Sequence, residues 1–126
     1  MNARRLARFG EWTALLWLVA HGYRVRHRNW VGGLGEIDLV LQKGRTIVFV
    51  EVKSRVGQEF GGALAAVGRA KQNKLARAAQ AYLTRFALWN APCRFDVVAV
   101  TRRRGFFPWK IVHIEDAFQP SLGRKL

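Results

Sequence analysis

Acidic residues are scarce in this sequence: eight Asp and Glu stand against 22 Lys and Arg, a net charge of +14. So lopsided a balance points to a polyanionic partner, most simply nucleic acid, with anionic membrane surfaces and acidic proteins as the other classes. The basic residues run through the whole chain rather than a tail, so the folded body itself is positive. Cysteine is nearly absent. Cys93 alone excludes an internal disulfide and fits a reducing cytoplasm. Following Pro92 just before a strand, it reads as a small buried residue rather than a nucleophile. Long apolar runs are missing too. The stretch from Trp12 to Ala20, preceded by Arg4, Arg5 and Arg8, is too short to span a bilayer, Glu11 interrupts its pattern, and no small-residue cleavage site follows, so neither an anchor nor an export signal is expected. There are no internal repeats and no zinc motif; His27 and His113 lack partners at metal-ligand spacing. The glycines from Val31 to Gly35 lack the spacing of a dinucleotide fingerprint, so no small-molecule cofactor is expected.

What is present is a chain of 126 residues, 50% hydrophobic, enough for one domain with its own core. The domain is expected over 1–119, with 120–126 as a polar, frayed tail. Its most informative stretch runs from Gly35 to Arg55. Two apolar, β-branched runs flank a Gln-Lys-Gly-Arg turn, the pattern of a β-hairpin. Asp38, Glu51 and Lys53 lie inside those runs, where burial disfavours charge. Alternation puts Glu51 and Lys53 on one face, about 7 Å apart, and Val48, Val50 and Val52 on the other. On the first strand Ile37, Leu39 and Leu41 share one face and Asp38 belongs to the opposite one. If Gly44-Arg45 form a two-residue turn, with glycine supplying the positive φ, Lys43 pairs with Thr46 and Asp38 falls opposite Glu51, with Cβ atoms roughly 4.5–5.5 Å apart. A one-residue slip would separate them.

Two carboxylates that close repel each other unless a cation intervenes, and a hard ion such as Mg2+ suits them, held by one or two carboxylates while keeping its waters. Lys53 is then placed to orient an attacking water or to stabilise charge developing on a phosphate. A structural ion cluster, with Lys53 merely neutralising Glu51, explains the same spacing.

Asp38, a twelve-residue gap, then Glu51-Val52-Lys53 resembles the D…(D/E)-x-K core of the PD-(D/E)xK nuclease superfamily, with Ile37 where Pro is usual. More closely, Gly35-Glu36-Ile37-Asp38-Leu39-Val40, Val48 to Arg55 and Arg94-Phe95-Asp96-Val97-Val98 resemble the YraN-like family of small bacterial proteins. Those are described as predicted endonucleases related to archaeal-type Holliday-junction resolvases. The resemblance implies an α/β fold, a restriction-endonuclease-like mixed β-sheet flanked by helices. It also implies that a Glu on the first helix, here Glu11, approaches a metal held by Asp38, Glu51 and the Val52 carbonyl, and that Lys71 reaches substrate. Homodimerisation is plausible by the same kinship.

The remaining elements are read from pattern. Residues 3–21 form a helix whose packed side includes Glu11, with Ala7, Ala14 and Leu15 as its helical neighbours. Tyr23 to Trp30 alternates as an edge strand, with Arg24, Arg26 and Arg28 on one face as either a phosphate-contacting stripe or protection against edge pairing. Asn29 is suited to a backbone hydrogen bond in the following turn, and Glu36 shares a face with Asp38. After Arg55, Gly57 to Gly62 is the candidate mobile loop. A helix from Ala63 or Ala66 to Phe86 buries Leu75, Ala79, Tyr82 and Phe86, with Lys71 toward the sheet and Lys74, Arg77 and Arg85 on more exposed faces. Arg94 to Val100 is a core strand beginning with an Arg94–Asp96 ion pair. Arg102, Arg103 and Arg104 form a basic turn near Phe107 and Trp109, and Trp109 to Ile114 returns as a strand.

The expectation is therefore a cytoplasmic, Mg2+-dependent endonuclease acting on DNA, structured or branched DNA included, with Mn2+ as a substitute ion. Asp38 and Glu51 would hold the metal with the Val52 carbonyl, Lys53 would position water, and Glu11 would assist. Lys71, Arg55, Arg24, Arg26, Arg28 and Arg102 to Arg104 would grip the nucleic acid. The competing expectation is a non-catalytic nucleic-acid-binding module that keeps the fold and the charge.

Overall fold

The computed structural model describes residues 2–56, 67–102, 109–120 and 122, without the side chains of 55, 56 and 102. The loop expected at Gly57 to Gly62, together with Arg103, Arg104 and Phe107, lies outside the described residues, as do the side chains of Arg55 and Arg102. The first helix, α1 (Ala3–Ala20), is started by Asn2, whose side chain accepts from the Arg5 N–H at 2.9 Å and satisfies one of the amides a helix start leaves open. Strands β1 (Arg24–Gly32), β2 (Gly35–Lys43) and β3 (Thr46–Val56) follow, then α2 (Arg69–Arg85), β4 (Cys93–Arg102) and β5 (Trp109–Phe118).

The five strands form one mixed sheet in chain order. All neighbours are antiparallel except β3 and β4, whose parallel pairing requires a crossover, here the connection carrying α2. A mixed sheet flanked by two helices is consistent with a restriction-endonuclease-like fold. Its two faces bury separate clusters. On one, Leu75, Ala79, Tyr82 and Leu83 of α2 meet Val40, Ile47, Phe49 and Val97; on the other, Ala14, Leu15 and Leu18 of α1 meet Leu39, Leu41, Val48, Val50 and Val98. The alternation of β3 between these faces is what the sequence pattern requires of a strand buried on both sides.

The β2–β3 hairpin has the expected register. Lys43 pairs with Thr46 across a turn in which Gly44 takes φ 61°, and the ladder runs in step to Leu39 opposite Val50. Four details differ. Arg24, Arg26 and Arg28 do not share a face: the β1–β2 pairing shifts between Val25 and His27, and the inserted residue inverts the alternation. Arg26 and His27 therefore both reach the Tyr82 hydroxyl, each at 2.8 Å, and Arg28 lies over the Trp12 ring at 4.0 Å on the other face. Ile37 packs with the α2-side cluster although Leu39 and Leu41 pack on the α1 side, because pairing is interrupted at Asn29 and Asp38, where Asn29 takes the left-handed φ of 51°. Within the segment expected as a tail, Leu122 is half-buried against the α2-side cluster, and its carbonyl accepts from the Gln80 amide. Cys93 is half-buried rather than buried.

Candidate active site

Asp38 sits where β2 leaves its regular ladder, and Glu51 lies two residues before Lys53 on the adjoining end of β3. Past Leu39–Val50 the hydrogen bond between strands is taken over by the side chain: the Val52 N–H donates to Asp38 Oδ2 at 2.8 Å. That bond fixes the aspartate against the strand carrying Glu51. Glu51 is 5% exposed and is met by two ammonium groups on the same oxygen, Oε1: Lys71 Nζ at 2.9 Å and Lys53 Nζ at 3.4 Å. Lys53 comes from the same strand face, as alternation demands. Lys71 arrives from the first turn of α2, whose packing over Val40 and Phe49 aims that turn at the end of β3.

Glu11 reaches the same region from α1. The helix lies close against β3 at Gly10, where an added Cβ would fall 1.8 Å from Ser54 Oγ. Glu11 is half-buried, shares a hydrogen bond with Asn29, and has Oε1 buried with no hydrogen-bond partner. Its charge acts on Asp38, yet among the described residues no three His, Cys, Asp or Glu side chains converge as a ready-made metal cage. Asp38 and Glu51 are thus the pair brought together, and Glu11 is a neighbour on the α1 side rather than a third member of one tight carboxylate group.

The electrostatics follow from that crowding. Burial, then the neighbouring charges of Glu51 and Glu11, raise the Asp38 pKa from its ordinary 3.8 to about 7, against the opposing Val52 amide and Lys71. Glu11 is also pushed up, first by burial; Arg28 opposes this and Glu36 adds to it. Burial works against the Lys71 ammonium, but the Glu51 carboxylate outweighs it and holds that lysine above its ordinary range. Glu11, Glu36, Asp38 and Glu51 are four of the eight acids of a chain with net charge +14, and they influence one another at one end of one sheet.

Of the other expected residues, Arg24 and Arg28 are exposed, and Arg26 is occupied with Tyr82 and with Gln42 at 3.1 Å. Sequence reasoning missed Asn29 as the partner of Glu11. Its signal is an Asn within a strand, a residue that tolerates left-handed backbone where β-branched residues do not. The Arg94–Asp96 pair is present at 2.8 Å but belongs to a larger buried network that also escaped notice. His113 Nε2 meets Asp96 Oδ2 at 2.7 Å, the Asp116 N–H donates to Oδ1 at 2.9 Å, and Arg94 also donates to the Tyr23 hydroxyl at 2.7 Å. Burial opposes ionisation of Asp96, but His113, Arg94 and the Asp116 amide together hold it below the usual carboxylate range. Asp96 and His113 belong to paired strands, so their meeting depends on a register that linear spacing does not reveal.

The model of the uncharacterised protein family UPF0102 matches residues 10–100, which contain Glu11, Asp38, Glu51, Lys53, Lys71 and Asp96. A UPF0102 protein of Shewanella amazonensis is 46% identical over 118 residues, covering 94% of this chain and all of the relative. One from Symbiobacterium thermophilum is 49% identical over 98 residues, 78% of this chain and 83% of the relative. One from Bacteroides thetaiotaomicron is 41% identical over 117 residues, 93% and 94% of the two chains. With a match across most of its length and relatives this similar, the chain belongs to the UPF0102 family.

Proposed function

We propose that this protein is a metal-dependent endonuclease of the PD-(D/E)xK kind that hydrolyses phosphodiester bonds in DNA. The observation that carries the reading is the gathering of half the chain's acids at one sheet end, with two lysines on Glu51, in a body otherwise strongly positive. A module that only bound a polyanion would gain nothing from buried carboxylates that repel it.

The donors present suit Mg2+: two hard carboxylates, Asp38 and Glu51, the Val52 carbonyl beside them, and a buried Glu11 oxygen with no other partner among the described residues. When bound, such an ion activates water and offsets charge on the transferring phosphate. The chain's own residues do the rest. The Val52 N–H and β3 hold Asp38 in place, so its carboxylate is positioned before substrate arrives. Lys53, 19% exposed, faces both Glu51 and solvent, where its N–H groups orient a water or the scissile phosphate. Lys71, 44% exposed, presents a second cation from α2 to the phosphate's other oxygens. Arg24 and Arg28 hold flanking phosphates on the β1 side. No described helix is long and apolar enough to cross a membrane, and the single cysteine fits a cytoplasmic enzyme. Paired cuts in branched DNA would be made by a homodimer.

The test is cleavage of plasmid, single-stranded, flap and four-way-junction DNA with Mg2+ or Mn2+, comparing wild type with Asp38→Asn and Lys53→Ala. Cleavage by the parent alone, with DNA binding retained in both variants, supports the nuclease and identifies its substrate shape. A second reading has its own observation: Lys53 and Lys71 already neutralise Glu51, as a non-catalytic binding module would need. Tight, salt-sensitive binding with no cleavage of any substrate favours that reading.

A further inference from the structure

Two consecutive residues of β1 grip two consecutive residues of α1. Arg28 lies over the Trp12 ring at 4.0 Å, and Asn29 hydrogen-bonds the Glu11 carboxylate. From the opposite side α1 is pressed onto β3 at Gly10, where an added Cβ would fall 1.8 Å from Ser54 Oγ. The helix is thus held between two strands at the turn that carries Glu11, and the freedom left to the carboxylate is rotation about its own side-chain bonds. An ionised carboxylate only accepts hydrogen bonds, so the Asn29 amide is the donor, and that bond limits the rotation.

The backbone of β1 is arranged to bring the amide there. Its ladder with β2 passes from Arg28–Leu39 to Trp30–Ile37 and skips Asn29 and Asp38, which lie opposite each other. One break therefore frees two side chains from the alternation of their strands: Asp38 takes the Val52 N–H at 2.8 Å, and Asn29 takes Glu11. The φ of 51° at Asn29 does not by itself call for asparagine, because Leu34 at φ 66° and Ala87 at φ 55° occupy the same region in this chain. What asparagine adds is the donor.

We infer that Asn29 is a positioning residue of the proposed metal site, holding the Glu11 side chain in the orientation that serves an ion bound by Asp38 and Glu51. The inference rests on the metal-dependent reading above and adds to it a residue that acts only through Glu11. Glu11 has the means to serve: its Oε1 is buried without a hydrogen-bond partner, and its charge is felt at Asp38. Partners that fix a metal-binding side chain from behind typically change metal affinity or activity about 10–100-fold when removed.

The test is calorimetric titration of the full chain with Mn2+, without DNA, for the parent, Asn29→Gly, Glu11→Gln and the double variant. Single-turnover cleavage and DNA affinity in EDTA are measured on the same proteins. Glycine adopts a φ of 51° freely and position 29 is exposed, so Asn29→Gly is expected to fold, which melting curves check. Asn29→Ala, in a conformation the chain already accepts at Ala87, is the second variant. Both are expected to weaken Mn2+ binding about tenfold and to slow cleavage, while DNA affinity changes by less than about twofold. In the Glu11→Gln background the further loss from Asn29→Gly should be under about twofold, since the carboxylate it acts through is gone. Unchanged Mn2+ affinity in Asn29→Gly and Asn29→Ala overturns the inference and leaves the metal reading intact. A tenfold loss that persists in the Glu11→Gln background also overturns it, because the strand then acts on the site through its backbone. Lost DNA affinity with Mn2+ affinity retained overturns it too and makes Asn29 a DNA contact. A parent that binds no Mn2+ overturns the inference together with the reading beneath it.

Discussion

A carboxyl group that neutral water would ionise fully is held only about half ionised near pH 7 by its position at Asp38, and the consequence is measurable without any substrate. Its folded-state pKa of about 7 exceeds the ordinary 3.8, so the folded protein binds that proton more tightly than the unfolded chain does. Stability contributed by this group is present below pH 3.8, falls as pH rises toward 7 and is gone above it. Asp38→Asn, which keeps an acceptor for the Val52 N–H, is therefore expected to melt roughly 4–8 °C higher than the parent at pH 8 in EDTA, a gain of about 1–2 kcal/mol. The gap should close as pH approaches 4. Mg2+ should raise the melting temperature of the parent but not of the variant. Identical melting curves at pH 8 would contradict a destabilising charge at this position. Asp96 has the opposite sign. Its pKa is held below 3.8 by its partners, so its contribution is present above that pH and lost as pH falls through the lowered value. Asp96→Asn leaves Arg94 and His113 facing a neutral group, and a loss of roughly 3 kcal/mol is expected in urea denaturation at pH 7. A loss below about 1 kcal/mol would mean that the network is solvated in solution. On the proposed reading the two aspartates separate chemistry from architecture: one substitution is expected to stabilise and to abolish cleavage, the other to destabilise.

Elements place these residues, and glycine decides how closely they approach. Gly35, at the start of β2, lies under α2, where an added Cβ would come 2.7 Å from the Lys74 carbonyl and 3.3 Å from the Ala78 Cβ. The first contact is with backbone, so the helix itself must move, and α2 is what delivers Lys71 to Glu51. Gly35→Ala is expected to cost about 1–3 kcal/mol and to reduce cleavage beyond what the folded fraction explains. Gly44→Ala meets nothing within 4 Å and strains only a turn at φ 61°. It should cost about 1 kcal/mol and leave cleavage per folded molecule unchanged, a contrast read by pairing denaturation curves with initial rates. The same distinction explains what the chain made legible. The hairpin register and the meeting of Asp38 with Glu51 follow from a two-residue turn and a period of two, both local. Lys71 was placed by its helical stripe. The fate of Arg26 depended on one inserted residue in β1, and the His113–Asp96 contact on the pairing of two strands that brings together residues 17 apart along the chain. Neither a bulge nor a cross-strand pair leaves a mark in composition or periodicity.

At the scale of the whole molecule, the charge of +14 and the acid cluster act over different ranges. Exposed cations are screened within about 8 Å at physiological ionic strength, so their effect on DNA encounter is strongly salt-dependent. Glu51, 5% exposed and in contact with Lys53 and Lys71, is shielded from most of that screening. Binding and chemistry should therefore separate in a salt titration. If about five phosphates are neutralised, duplex affinity falls roughly five-hundredfold between 50 and 200 mM salt, along a straight line in log–log form. The cleavage rate at saturating DNA should change by less than about twofold over the same range, because the groups proposed to touch the scissile phosphate keep their local partners. The measurement is single-turnover cleavage at several DNA concentrations for each salt concentration, which resolves the apparent dissociation constant from the rate at saturation. A rate that falls in parallel with affinity would place the exposed arginines in the chemical step itself. A flat affinity would mean that the positive body of this protein serves some purpose other than holding a polyanion against four carboxylates that repel it.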